Sequence, residues 1–132
     1  MQLLDHVSIG VPDIDAARPF YDAIMSTLGA VKVYDRPNAL GYGERCSAAD
    51  TQSSFLAVYL DASAIESNKR HWCFKAASHA QVDAFHAAGL AAGGRSDGDP
   101  GLRPHYHASY YAAFLVDPAG NRVEAVCHSA SA

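Results

Sequence analysis

Three side chains in this sequence have the types and the setting to hold a metal ion: His6, His71 and Glu124. Each lies in a stretch that alternates apolar and polar residues, as a half-buried strand does. In the first stretch Val7, Ile9 and Val11 point one way while His6, Ser8 and Gly10 point the other. In the second, Trp72, Phe74 and Ala76 oppose His71, Cys73 and Lys75; in the last, Val123, Ala125 and Cys127 oppose Glu124, Val126 and His128. All three therefore stand, with His128, on the polar faces of strands whose other faces are hydrophobic. Two neutral imidazoles and a carboxylate are a competent ligand set for a divalent ion and leave positions open for water or substrate. Seven histidines in all keep acid–base chemistry open as well.

A second concentration of reactive types is Arg103-Pro104-His105-Tyr106-His107, followed by Tyr110-Tyr111. The Gly, Pro and Ser content of residues 100–111 predicts a backbone outside regular pairing, and its aromatic and histidine side chains suit a lid over a ligand cavity. His105 and His107 are acid–base candidates near neutral pH, and they face the same side if the local chain is extended.

The elements that must position these groups come in a repeat. His6-Val7-Ser8-Ile9 matches His71-Trp72-Cys73-Phe74, and the register continues without a gap through Phe20 with Phe85, Met25 with Leu90 and Gly29 with Gly94. In each copy a strand is followed by a helix-capping residue, Asp13 or Ser78, the second with Gln81 three residues on as in a capping box. Apolar residues then recur at helical spacing: Ile14, Ala17, Tyr21, Ile24, Met25 and Leu28, and Val82, Phe85, Gly89 and Ala92. Gly29 and Gly93-Gly94 end the helices. Strands are predicted at 31–34, 40–44, 54–60, 110–117 and 121–127, with the last two joined by a tight turn at Asp117-Pro118-Ala119-Gly120. The segment 95–109 has room for one weak strand near its start. His79 and His86 are placed on the exposed side of the second helix. The pattern is α+β, βαβββ twice, two repeats pairing to form a concave, partly open barrel-like sheet. The expected organisation is a single domain, 1–132, of two half-repeats, about 1–64 and 65–132, linked through 65–70 and ending in a frayed tail at 129–132.

Composition excludes other classes. At 132 residues, 49% hydrophobic and 18% charged, the chain suits one small folded unit. Ten basic against fourteen acidic residues, a net charge of −4, supply no basic patch for nucleic acid. The start, Met1-Gln2-Leu3-Leu4-Asp5-His6, lacks the pattern of a signal peptide, and no run is long enough to span a membrane. A cytoplasmic location is expected, in keeping with three cysteines, Cys46, Cys73 and Cys127, that cannot all pair within one chain.

The doubled βαβββ pattern, the histidines opening both halves, and the closing run Asp117-Pro118-Ala119-Gly120-Asn121-Arg122-Val123-Glu124 together resemble the vicinal oxygen chelate superfamily over essentially the whole chain. That group includes glyoxalase I, extradiol dioxygenases, methylmalonyl-CoA epimerase and the bleomycin and fosfomycin resistance proteins. The resemblance implies a divalent metal (Fe, Zn, Ni or Mn) held by the first strand of each half, His6 and His71, and by Glu124 of the last strand. The fourth family position falls on Leu56 or Ala57, neither of which binds metal, whereas glyoxalase I carries a carboxylate there. Glu44 lies on a neighbouring strand, with no geometric reason to prefer it. A His, His, Glu set is similar to that of extradiol dioxygenases, which add a histidine and a tyrosine upstream of the last ligand; His105, His107 and Tyr110 supply those types as catalytic candidates. The implied function is that of a small metal-dependent enzyme, dioxygenase-like or lyase-like, acting on a vicinal-oxygen or aromatic substrate. The alternative is a metal-free small-molecule binding protein of the bleomycin-resistance type. The resemblance also implies a homodimer.

Overall fold

The protein is described from a computed structural model covering residues 3–64 and 70–130. Strand β1 (His6–Val11) leads into helix α1 (Ile14–Thr27), then β2 (Lys32–Arg36), β3 (Ala39–Gly43) and β4 (Phe55–Leu60). The second half repeats this order with β5 (His71–Lys75), α2 (His79–Ala91), β6 (Arg95–Leu102), β7 (Tyr111–Val116) and β8 (Arg122–Cys127). Most of the expected link, 65–69, lies outside the described residues, as does the end of the tail, whereas Ser129 is tied to α2 by a hydrogen bond from His79 Nε2 to its carbonyl.

Local chemistry sets these boundaries. Asp13 caps α1 by accepting from Ala16 N at 3.1 Å, and Ser78 caps α2 by accepting from Gln81 N at 3.1 Å. Gln81 Oε1 reaches back to Ala77 N at 2.7 Å, one residue earlier than in an ideal capping box. After the helices the chain turns through Gly29 (φ 76°) and Gly93 (φ 101°), a backbone conformation that costs a side-chain-bearing residue. Residues 95–102 correct the expectation of a mostly irregular segment. They form a strand along the outside of β7, interrupted by register shifts near Gly98 and Gly101, and an edge strand with bulges tolerates the Pro100 and glycine content that suggested a loop.

Each half is a four-stranded mixed sheet, in the orders β1-β4-β3-β2 and β5-β8-β7-β6, and the two sheets are not closed into a barrel. Strands β1 and β5 pair in parallel with β4 and β8 and are edge strands; the remaining pairs are antiparallel. The alternation seen in the sequence is realised: Ile9, Val11, Leu56, Val58, Val123 and Ala125 join one apolar core with Phe20, Ile24 and Phe85 from the helices. Helices α1 and α2 cross where Gly89 lacks a side chain; a Cβ there would collide with Leu115 and press on Ile24 and Phe20. Phe20 and Phe85 are fully buried, each contributing about 2–3 kcal/mol of hydrophobic stabilisation.

A polar knot also joins the halves. The buried Asp117 carboxylate accepts from Tyr21 Oη (2.5 Å), Ala119 N (2.8 Å), Asn121 N (2.8 Å) and Asn121 Nδ2 (2.9 Å). Asn121 Nδ2 also donates to Gly10 O at 3.2 Å. The turn between β7 and β8 thereby anchors α1 and β1 of the first half. Burial, and after it the Asp117 charge, pushes the Tyr21 phenol well above its ordinary pKa, so it remains a hydrogen-bond donor.

Candidate functional site

On the outer face of the second sheet, β5 and β8 run in register with Cys73 beside Glu124, and β7 places Phe114 on the other side of Glu124. Glu124 is 3% exposed, unusual for a carboxylate on the face turned away from a helix layer. Its Oε1 lies 2.6 Å from His71 Nε2, and its Oε2 accepts from Tyr110 Oη at 2.5 Å. No lysine or arginine pairs with it among the described residues. The His71 side chain is 41% exposed, so the pair opens to solvent on the imidazole side. Burial, and after it the Glu124 hydrogen bond, raises the Tyr110 phenol above its ordinary range, keeping its proton on oxygen and aimed at the carboxylate.

Cys73 belongs to this group too. Although the residue as a whole is exposed, desolvation of the thiol by its neighbours, and after it the Glu124 charge, pushes it up to about 12. Because the thiolate is the nucleophile, Cys73 in chelator-treated protein at pH 8 is expected to react with iodoacetamide about a hundredfold more slowly than a free cysteine. Glu124→Gln removes the repelling charge, lowers the thiol pKa and is expected to speed the reaction. Peptide mass spectrometry of a labelling time course measures both rates, and alkylation at the free-cysteine rate would contradict the packing of this thiol against Glu124.

His6 occupies the equivalent place in the first sheet, apart from these groups. Its Nδ1 bonds Asp5 Oδ2 at 2.7 Å, and its ring stacks on Phe55 with centroids 4.8 Å apart. The hydrogen bond with His6, and after it one from the Cys46 thiol, holds the Asp5 carboxyl below its usual range. Strand register resolves the fourth family position. His6 pairs with Phe55 and His71 with Arg122; two residues further along, Ser8 pairs with Ala57 and Cys73 with Glu124. Ala57, fully buried, is thus the counterpart of Glu124, while Leu56 faces the core beside Tyr42. Glu44 accepts from Ser53 Oγ at 2.9 Å.

The segment after β6 is turned rather than extended. Arg103 N donates to Tyr110 O, Tyr106 N to Arg103 O and Tyr110 N to His107 O. His105 and His107 accordingly meet different neighbours: His105 lies against the Tyr106 ring, and His107 packs on Tyr110 and His128. Ser109 N donates to His107 Nδ1 at 3.1 Å, which leaves the proton on Nε2 for the 2.9 Å bond to His128 Nδ1. His86 corrects its placement on an exposed helix face: it is 7% exposed and bonded through Nε2 to Ser96 Oγ at 2.8 Å, because β6 covers that side of α2. His79 stacks on Tyr111 at 4.0 Å.

The donor set fits a divalent ion in kind. A buried carboxylate without a cationic side-chain partner, facing an imidazole nitrogen, is an electron-rich pair of borderline ligands. In number the single chain falls short: no group of three or more His, Cys, Asp or Glu side chains is placed to hold an ion among the described residues. Sequence reasoning passed over Cys73 and the partnership of His128 with His107. Both were signalled by strand alternation, which put Cys73 on the face of His71 and His128 on that of Glu124.

Comparison with known proteins places these features in a family. The model of the Glyoxalase/Bleomycin resistance protein/Dioxygenase superfamily matches residues 3–125. A glyoxalase/bleomycin resistance protein from Albidiferax ferrireducens T118 is 33% identical, with 94% of this chain and 98% of that one covered and a TM-score of 0.79. A glyoxalase-related enzyme from Fulvimarina pelagi shares the fold at 18% identity, with 96% and 88% covered and a TM-score of 0.66. So does a lactoylglutathione lyase from Agrobacterium tumefaciens, at 21% identity, 96% and 94% covered and a TM-score of 0.62. No curated protein matches the chain. With a family match over nearly its full length, and the doubled βαβββ architecture behind it, the chain belongs to the Glyoxalase/Bleomycin resistance protein/Dioxygenase superfamily.

Proposed function

We propose that the protein is a metal-dependent enzyme of the vicinal oxygen chelate type, dioxygenase-like or lyase-like, whose ion is held by His71 and Glu124 of one chain and His6 of a second copy. The observation that carries this reading is the buried Glu124 carboxylate, fixed between His71 Nε2 and Tyr110 Oη without a compensating lysine or arginine. Two further features support the sharing. His6 and His71 both open edge strands, whose unpaired backbone edges a second chain can meet. Among the described residues the chain by itself also gathers fewer than three ligands at one place.

When bound, the ion supplies Lewis acidity that polarises adjacent substrate oxygens. The protein's own groups do the rest. Tyr110 orients Glu124 by donating to Oε2, leaving Oε1 and His71 Nε2 to face the open side. His107 holds a proton on Nε2 at the edge of this face, shared with His128, and serves as the acid–base group; His105, beside Tyr106, covers the approach. Elemental analysis of protein purified without chelator or metal-affinity tag is expected to find about one divalent ion per chain. A consistently metal-free protein would refute the reading.

One observation favours a second reading, that of a metal-free small-molecule binder. Both Glu124 oxygens are satisfied within the chain, and the fourth ligand position is Ala57. On this reading the same outer faces bind a ligand without chemistry, and the elemental analysis separates the two.

A further inference from the structure

The outer face of the first sheet carries a continuous row of stacked rings and guanidinium groups that ends on His6. The Arg36 guanidinium lies 4.5 Å from the Tyr34 ring centroid, and that of Arg45 lies 6.0 Å from Tyr34 and 5.5 Å from Phe55. Phe55 in turn stacks on His6 at 4.8 Å with 17° between the planes. Beneath the row the sheet is floored by small residues. Tyr34 pairs with Gly41 and Gly41 with Ala57, and any side chain at position 41 would strike the Tyr34 ring, so glycine there lets the ring lie flat on the strands.

The two arginines differ from four of the other described cations. Arg18 pairs with Asp15 and Asp35, Lys32 with Asp22 and Asp35, Arg122 with Asp97, and Arg103 donates to two backbone carbonyls. Neither Arg36 nor Arg45 donates a hydrogen bond or forms an ion pair with any described residue, although acids outnumber bases in this chain. Arg45 helps to lower the Asp5 carboxyl through its charge alone, and Asp5 is engaged by His6. A guanidinium stacked on an aromatic ring uses its face, and its in-plane N–H groups remain directed outward in the fork that matches a carboxylate. The half-buried Tyr34 and Phe55 rings alongside offer apolar edges for the body of the same ligand.

We propose that this face recognises an aromatic carboxylate, with Arg45 binding the acid group, Arg36 adding charge behind it, and the edges of Phe55 and Tyr34 packing against the ring. The inference rests on the reading above that His6 belongs to the reactive site, and it narrows the substrate from vicinal-oxygen compounds in general to those bearing an acid on a ring.

The test uses 3,4-dihydroxybenzoate and catechol, which share the vicinal diol and differ in the carboxylate, titrated calorimetrically into wild type, Arg45→Gln and Glu124→Ala protein. Wild type is expected to bind the acid at least about tenfold more tightly than catechol, and Arg45→Gln to lose that preference while its affinity for catechol and its metal content stay unchanged. Wild type without a preference for the acid, including failure to bind either compound, overturns the proposal, as does an Arg45→Gln protein that retains the preference or weakens both compounds equally. Glu124→Ala separates this outcome from the fate of the metal reading. If it weakens both compounds, the metal reading stands; if it changes neither while Arg45→Gln still loses the acid alone, the carboxylate site stands without the metal.

Discussion

Glu124→Ala is expected to lower the affinity for divalent metal by at least about a hundredfold, and His79→Ala to leave it unchanged. Glu124 is the anionic member of the proposed ligand set, and its substitution removes both the charge and the oxygen facing His71. The imidazoles that remain are neutral when they ligate, so the site loses the electrostatic part of its attraction for a doubly charged ion. His79 carries the same chemistry as the ligands but stacks on Tyr111 and bonds the Ser129 carbonyl, away from Glu124. Titration of chelator-stripped protein with Zn(II) or Mn(II) measures both variants, with circular dichroism to confirm that each is folded. Equal affinity in wild type and Glu124→Ala would remove Glu124 from the site.

The largest effect on stability is expected at Asp117. Alanine there strands four donors, two of them backbone N–H groups, in a buried setting shared by both halves. Each unsatisfied buried donor costs on the order of 1–3 kcal/mol, partly relieved by local rearrangement and by no longer burying a charge, so the net loss is expected to be about 3 kcal/mol or more. That corresponds to a fall in Tm of roughly 10 °C for a chain of this size. Tyr21→Phe, which deletes only the phenolic donor, should cost about 1 kcal/mol. Urea unfolding of both variants supplies the comparison; an Asp117→Ala protein within about 1 kcal/mol of wild type would mean that the knot does not hold the halves together.

The repeat, the inward faces of the strands, both helix caps and the glycines beyond the helices were legible because each depends on short-range chemistry and periodicity. The strand β6 was not, since Gly98, Pro100 and Gly101 carry the composition of a loop and only pairing with β7 makes them a strand. His86 was misjudged for the same reason: β6 decides whether that side of α2 is covered. Around Glu124, alternation correctly grouped the polar face, but it could not reveal that Tyr110 and His71 bury the carboxylate between them, a contact joining β5, β8 and the turn before β7. The Asp117 to Glu124 run was recognisable as a motif, while the physical role of its first half, tying α1 and β1 to the second sheet, needed three-dimensional contacts. Equivalent positions for His6 and His71 in the repeat placed them alike in their sheets, which is a different matter from placing them together in one chain.

Sharing between chains can be measured by mixing two damaged ones. Co-expression of His6→Ala and Glu124→Ala, with a different non-metal affinity tag on each, allows mixed dimers to be isolated. If every site takes His6 from one chain and His71 with Glu124 from the other, a mixed dimer holds one site lacking both groups and one site with all three. The account predicts about one divalent ion per mixed dimer and essentially none in either pure variant; mixed dimers as empty of metal as the pure variants would contradict it.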